Sequence, residues 1–269
     1  MGGAQVLRST TMSDVPQRPS LASVLPTTRA LRAYFATRVD PLTQLYLVLP
    51  LFIVYHVGVV ANVERTPEGG YRWVGNGVDF LTGTALHLAN GNVGAYALGA
   101  IVVTLALLGL ILWARRGSEL HPRLFVPLLA ESAVYAVLFA GFVGYVVDAM
   151  GLGVLDSQSF GAQVVSSCGA GLHEELVFRM ALFHAPAWLL GKRAERPVFA
   201  WVGAALVSSA LFSLVHYVGP LGDSFKLSTF VFRFLLGLSL AGIYRARGFA
   251  VAAWTHTLYD ILYFAIRRF

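Results

Sequence analysis

Residues 93–113 read VGAYALGAIVVTLALLGLILW, a stretch without a single charged side chain. An α-helix needs about 20 consecutive apolar residues to cross a hydrocarbon core about 30 Å thick, and this stretch supplies them. Arg115 and Arg116 follow it directly, as is typical of a helix end at the lipid headgroups. The stretch therefore predicts a transmembrane helix, and it decides the fold class.

Similar apolar segments recur on both sides of this stretch. Seven can be drawn, at about residues 43–63, 93–113, 124–150, 159–190, 198–218, 227–244 and 250–266. The whole chain is 57% hydrophobic and only 13% charged, whereas roughly a quarter of the residues of a soluble domain are charged. We therefore predict an all-α, polytopic integral membrane helix bundle with about seven transmembrane helices, within a range of six to eight.

The N-terminal region differs from the rest in composition. Residues 1–40 are rich in Ser, Thr, Pro and Arg, which predicts a mostly disordered basic tail, with a short helix near residues 29–38 on the membrane surface. Residues 41–269 form the predicted membrane-embedded domain, with a motif-bearing core at 159–266. The preference for Arg over Lys, with abundant Ala, Gly and Val, indicates a GC-rich bacterial genome and hence the bacterial inner (plasma) membrane.

The net charge of +6 does not indicate nucleic acid as a partner. Eight of the 20 Lys and Arg residues stand in short clusters at the ends of apolar segments, where we expect them to contact the lipid bilayer and set orientation. Those clusters are Arg115–Arg116, Lys192–Arg193, Arg245–Arg247 and Arg267–Arg268. The single cysteine, Cys168, excludes an intramolecular disulfide and a Cys-based metal site.

The fourth segment holds the densest group of ionisable residues, in the sequence GLHEELVFRMALFH (171–184). Each ionisable residue at mid-membrane costs about 2.5–3.5 kcal/mol on insertion scales, so these side chains should face the bundle interior. Glu175 and Arg179 are four residues apart and are predicted to form an ion pair. Glu174 is left without an evident partner, and this carboxylate is the main candidate for chemistry.

Two further segments each place a histidine beside another motif residue four positions away. Phe212 precedes His216 in the fifth segment, and His256 precedes Asp260 in the seventh. Either pair alone is commonly structural, but carboxylates and imidazoles converging from three helices are the groups that activate water or bind a divalent metal. A zincin is excluded, because Val177 stands where the HExxH motif needs its second histidine.

Other polar and small residues in the helices have structural explanations. Glu131 and Arg233 are candidate interhelical partners. Gly169 and Gly171 are expected to let helices approach closely.

The order EExxxR (Glu174, Glu175, Arg179), FxxxH (Phe212, His216) and HxxxD (His256, Asp260) resembles the CAAX protease and bacteriocin-processing (CPBP) family of intramembrane proteases. FRFLLGLSLAGIY in the sixth segment is similar to the stretch of that family between its two histidine motifs. The resemblance covers about residues 169–263.

The resemblance implies a glutamate-activated water and a role for each motif residue. Glu174 would be the general base, and Glu175, Arg179 and Phe212 would support the site. His216 would position the water, and His256 with Asp260 would stabilise the oxyanion. Family members commonly carry Asn at the last position, so Asp260 must be protonated, orient His256 or bind a metal.

These observations predict an intramembrane endopeptidase that cleaves a membrane-anchored or lipidated peptide or protein substrate, in the processing of C-terminal or leader signals of exported proteins. A proton-coupled membrane carrier and a non-catalytic membrane scaffold or immunity protein are the alternatives. The motifs establish no cofactor. A divalent metal stays open, and its ligands would come from Glu174, His216, His256 and Asp260.

Overall fold

The computed structural model describes residues 27–36, 39–62, 64–65, 71–72, 80–116, 120–150, 159–218 and 222–266. The chain divides into two compact units, residues 1–38 and 39–269. In the first unit, the short helix expected near residues 29–38 is present as α1, Thr27–Ala36. The predicted disorder before residue 27 concerns residues outside the described ranges.

The second unit is built almost entirely of helices. Its first half contains α2 (Pro41–Asn62), a two-residue antiparallel ladder of β1 (Glu64–Arg65) and β2 (Tyr71–Arg72), α3 (Phe80–Leu88), α4 (Val93–Ala114), a 3₁₀ turn (Pro122–Leu124) and α5 (Phe125–Met150). Its second half contains α6 (Phe160–Gly169), the π-helix π1 (Ala170–His184), α7 (Ala185–Gly191), α8 (Pro197–Val215), α9 (Leu227–Arg247) and α10 (Phe249–Ile266). We call the continuous helical run of α6, π1 and α7 the site helix (residues 160–191).

Six helices among the described residues are long and apolar enough to cross a membrane. They are Pro41–Asn62, Val93–Ala114, Pro122–Phe142, Pro197–Val215, Leu227–Arg247 and Phe249–Ile266. The fourth predicted segment corresponds to the site helix, which is helical throughout but carries the charged motif. The protein is therefore a polytopic integral membrane helix bundle, and the prediction of the fold class is confirmed.

Helix α10 lies at the centre of the bundle, in contact with α2, α5, α6, π1 and α9. Its residues 251–253 are completely buried, and half of the residues in its apolar stretch are buried inside the protein. In helix α4, by contrast, only 6% of the residues in the apolar stretch are buried, and a band of Leu, Ile and Val side chains is exposed. A hydrophobic helix that its own chain leaves uncovered is stable where lipid covers it. The apolar exterior of α4 is thus the expected lipid-facing surface.

The buried charge of Glu131 is compensated by Arg247 and not by Arg233, so the predicted Glu131–Arg233 pair is wrong. Arg247 Nε donates to Glu131 Oε1 at 2.8 Å, and its Nη2 donates to Glu131 Oε2 at 3.2 Å. Tyr135 also donates its hydroxyl to Glu131, at 3.0 Å. The pair forms because the first turns of α5 and the last turn of α9 lie at the same end of the bundle. Arg233 belongs to the opposite end of α9.

Candidate active site

The motif EExxxR lies in the π-helical section of the site helix. Ala185 N–H donates to the carbonyl of Met180, the i to i−5 pattern that makes a π-helix wider than an α-helix. The predicted Glu175–Arg179 pair assumed an ordinary α-helix, and no feature of the sequence signals the wider turn. π-helical turns are frequent at functional sites.

The charged side chains of this π-helical section are buried inside the protein. Glu174 is 1% exposed, Glu175 is 0% exposed and Arg179 is 1% exposed. Arg179 Nε lies 3.1 Å from Glu175 Oε2, so the ion pair predicted from the spacing of four residues is present. Buried charges are tolerated only when they are paired and hydrogen-bonded. Glu175 and Arg179 are consequently a structural unit of the site.

Glycine at position 171 allows α10 to approach this section closely. A Cβ atom at position 171 would overlap the Thr257 hydroxyl and lie 2.5 Å from the carbonyl oxygen of Ala253. The close helix approach expected at Gly171 is thus present. Since His256 precedes Thr257 on α10, this contact brings the His256 imidazole to the carboxylates of π1.

His256 is 3% exposed and has three carboxyl groups around it. Its Nδ1 lies 2.8 Å from Glu175 Oε1, while its Nε2 lies 3.8 Å from Glu174 Oε2 and 3.7 Å from Asp260 Oδ2. Because Arg179 holds Glu175 as a carboxylate, which can only accept, His256 Nδ1 carries the hydrogen of this bond. The other ring nitrogen, Nε2, therefore faces Glu174 and Asp260.

Helix α8 completes the site with Phe212 and His216. The Phe212 ring lies 4.4 Å from the guanidinium carbon of Arg179, a cation–π contact. Its centroid is 5.2 Å from that of His216 and 5.8 Å from that of His256, so the ring lies against both imidazoles. His216 Nδ1–H donates to the Phe212 carbonyl oxygen at 2.7 Å. This bond leaves Nε2 as the nitrogen of His216 that can bind water or substrate.

Two groups of neighbours were not predicted from the sequence. His173, next to Glu174, packs on α2, with its ring centroid 5.0 Å from that of Tyr55 and 6.1 Å from that of His56. His56 in turn bonds through Nδ1 to the Tyr96 hydroxyl, at 2.5 Å. These contacts join helices of long sequence separation, so no local spacing could reveal them. The second group surrounds Arg233, which pairs with Asp223.

The donor groups do not form a metal site. Across the described ranges, no three His, Cys, Asp or Glu side chains are placed so that they could hold a metal ion together. Glu175 and His256 Nδ1 bind each other, and His216 Nδ1 is bound to a backbone carbonyl. Glu174, His216, His256 and Asp260, the ligands named for a possible metal, are not grouped in this way among the described residues, and no step below uses a metal.

The structure brings the motif residues from three helices into one site, in which His216 and Asp260 are half-buried and the other motif residues are buried. Residues 156–262, which include every one of these motif residues, match the family model described as type II CAAX prenyl endopeptidase Rce1-like. No curated protein matches the chain, and no solved structure does. The matched segment begins just before the site helix and ends within α10. Through this segment the chain is similar to the CAAX protease family that its motifs resemble.

Proposed function

We propose that the protein is a glutamate-dependent intramembrane endopeptidase, in which Glu174 activates water to hydrolyse a peptide bond of a membrane-anchored substrate. The observation that carries this proposal is the buried approach of Glu174 Oε2 to His256 Nε2, at 3.8 Å. A carboxylate and an imidazole at this distance can both contact the same water or carbonyl oxygen when it lies beside the line that joins them. A general base must lie within hydrogen-bonding reach of its proton, directly or through one water.

The supporting contacts keep Glu174 distinct from Glu175. Glu175 uses Oε2 for Arg179 and Oε1 for His256, so both of its oxygens are engaged. Glu174 lies next to this pair, with its Oε2 3.8 Å from His256 Nε2. The first carboxylate of the motif is therefore the better candidate for the base, and the second is the better candidate for a positioning residue.

In the proposed reaction, Glu174 takes a proton from water and later returns it to the leaving amine. Glu174 accepts a proton from water while the water oxygen bonds to the carbonyl carbon of the substrate, which produces a tetrahedral oxyanion. The carbon–nitrogen bond then breaks as protonated Glu174 returns its proton to the leaving amine. His256 stabilises the oxyanion through Nε2 when the ring is protonated, because buried donors aimed at a developing charge are especially effective.

His216 suits a different role. With Nδ1–H bound to the Phe212 carbonyl, its neutral ring presents the lone pair of Nε2. A lone pair accepts a hydrogen from water and so helps to orient the attacking oxygen. Asp260, 3.7 Å from His256 Nε2, contributes to the oxyanion site when it is protonated, as the amide of Asn would.

The substrate is a peptide or protein held in the lipid bilayer by a hydrophobic segment or a lipid. The description of the matched family, a prenyl endopeptidase, supports a lipidated substrate. The buried position of Glu174 supports the same conclusion, since a peptide must enter the helix bundle to reach it. The composition favours a bacterial inner membrane, with C-terminal or leader signals of exported proteins as targets.

Mass spectrometry of protein termini tests this function. Membranes from host cells carrying the unaltered chain or Glu174→Gln are compared at equal expression. We expect a set of new termini with the unaltered chain that is absent with Glu174→Gln. Glu195→Gln is the matched control, because Glu195 is an exposed residue in the loop after the site helix, and it should leave the set unchanged. Identical termini in all three samples would reject proteolysis in favour of a carrier or scaffold.

A further inference from the structure

Arg233 is held beside the candidate catalytic histidine of α8. The backbone N–H of Asp223 donates to the His216 carbonyl at 2.9 Å, and the Asp223 carboxylate accepts from Arg233 Nη2 at 2.5 Å. The guanidinium also lies over the Tyr217 ring, 5.3 Å from its centroid. These contacts tie the first turns of α9 to the segment that follows α8. They hold Arg233 against the segment that begins at His216.

The guanidinium of Arg233 is only partly used by these contacts. Its Nη1 is buried, and it forms no hydrogen bond in the part of the chain that the structure describes. A buried donor without an acceptor is unfavourable, and more so when it is charged. The Arg233 side chain is 20% exposed and that of Asp223 is 59% exposed. The Asp223 carboxylate is thus largely solvated, and it pairs only with Nη2 of the Arg233 guanidinium.

We infer that Arg233 forms a subsite for a carboxylate of the substrate, with Nη1 as the donor. This inference rests on the proposed function, because it assigns one end of the peptide that Glu174 would cleave. Guanidinium groups present several N–H donors in a planar fork, which suits carboxylates. Asp223, which pairs with Arg233, also bonds through its backbone N–H to the His216 carbonyl, so a carboxylate bound at Arg233 lies on the His216 side of the site.

Two sources can supply such a carboxylate, and they share one chemistry. One is the free C-terminus of a substrate cleaved close to its end. The other is an acidic side chain on the leaving side of the scissile bond. A subsite of this kind selects substrates by the distance between the scissile bond and a carboxylate. Neither the motif residues nor a lipid on the substrate would provide this selection.

The test measures peptide binding by the full-length chain in detergent, in the Glu174→Gln background so that binding is not followed by cleavage. The probe is a fluorescent S-farnesylated peptide in three forms: a free C-terminal acid, a C-terminal amide, and an amide with Glu as the last residue. Fluorescence anisotropy gives each Kd. We expect the free acid to bind roughly tenfold more tightly than the plain amide, as for one charge-assisted hydrogen bond. The third form shows whether a side chain can replace the terminus.

Substitutions separate carboxylate binding from loop fixation. Arg233→Gln should abolish the difference between acid and amide, and Arg233→Lys should retain part of it. Asp223→Asn breaks the same ion pair but keeps the guanidinium, so it should preserve the difference. Arg245→Gln is the matched control, since Arg245 lies further along α9, over Trp201 at 4.6 Å.

Three results would overturn the inference. One is an equal Kd for all peptide forms, a second is no binding of any of them, and the third is an unchanged acid preference in Arg233→Gln. Equal weakening of all forms by Arg233→Gln and Asp223→Asn would show a purely structural pair and would also overturn it. Turnover by the chain with Glu174 intact is measured separately. Its absence rejects the proposed function even when the acid preference is found.

Discussion

His256 and Glu175 are joined through Nδ1 and Oε1 at 2.8 Å, although 80 residues lie between them in the chain. The bond fixes which ring nitrogen faces Glu175 and directs Nε2 toward Glu174 and Asp260. Since Glu175 also holds Arg179, one carboxylate links a guanidinium and an imidazole. A site of this form depends on the ion pair for its shape as well as for its charge.

The first prediction concerns the Glu175–Arg179 pair. Glu175→Gln keeps an acceptor for His256 but leaves the Arg179 charge uncompensated, and removal of one partner from a buried ion pair typically costs about 3–5 kcal/mol. We expect a clearly lower thermal unfolding midpoint in detergent. Arg179→Met alone should be similarly damaging, because it leaves the buried carboxylate.

The double variant Glu175→Gln/Arg179→Met is the control for this pair. It removes both charges together, so its loss of stability should be smaller than the sum of the two single losses. Additive losses would show that the two side chains are not coupled.

The second prediction concerns the close approach of α10 to π1. Gly171→Ala would push a methyl group against the Thr257 hydroxyl and the Ala253 carbonyl. Overpacking of this kind typically costs about 1–3 kcal/mol, and the shift of α10 should move His256 away from Glu174. We expect reduced peptide cleavage together with a lower unfolding midpoint.

Gly203→Ala is the matched control for Gly171→Ala, because a Cβ atom at position 203 would meet nothing within 4 Å. Alanine is the better helix former, so this variant should be as stable as the unaltered chain, or slightly more stable, with full activity. Full activity of Gly171→Ala would contradict the role of the close approach.

The third prediction concerns Asp260 and the pH dependence of cleavage. If Asp260 acts as a hydrogen donor to the oxyanion, activity must fall as rising pH ionises it. Asp260→Asn donates at every pH, so it should retain activity and should lose this decline on the alkaline side. Rates of cleavage of a lipidated peptide across the pH range check it. An Asp260→Asn variant that is inactive at every pH would show that the carboxylate form is required.

The fourth prediction concerns the Phe212 ring between Arg179 and the two histidines. Phe212→Leu keeps an apolar side chain but removes the cation–π contact, which is worth about 2 kcal/mol when desolvated. We expect a lower stability and a lower kcat, since both imidazoles lose the ring on which they pack. Phe212→Tyr keeps the aromatic face and tests whether the ring itself is needed. If Phe212→Leu behaves as the unaltered chain does, the ring has no supporting role.

The sequence by itself determined the features that depend on short distances along the chain. Twenty or so apolar residues in a row cross a bilayer as a helix wherever they stand, so the polytopic bundle could be predicted. Glu175 and Arg179 are four residues apart, and one helical turn brings them together in almost any packing. The order of the three motifs likewise indicated the resemblance to CAAX proteases, and the family model matches the same segment.

Tertiary structure decided which of these helices meet, at what depth and with which face. Arg247, not Arg233, compensates Glu131, because the pairing depends on which ends of α5 and α9 are neighbours. His256 reaches Glu175 only because Gly171 admits α10 to the surface of π1. Such contacts arise from the packing of many side chains from distant segments, and spacing within one helix carries no information about the rotation or height of the next.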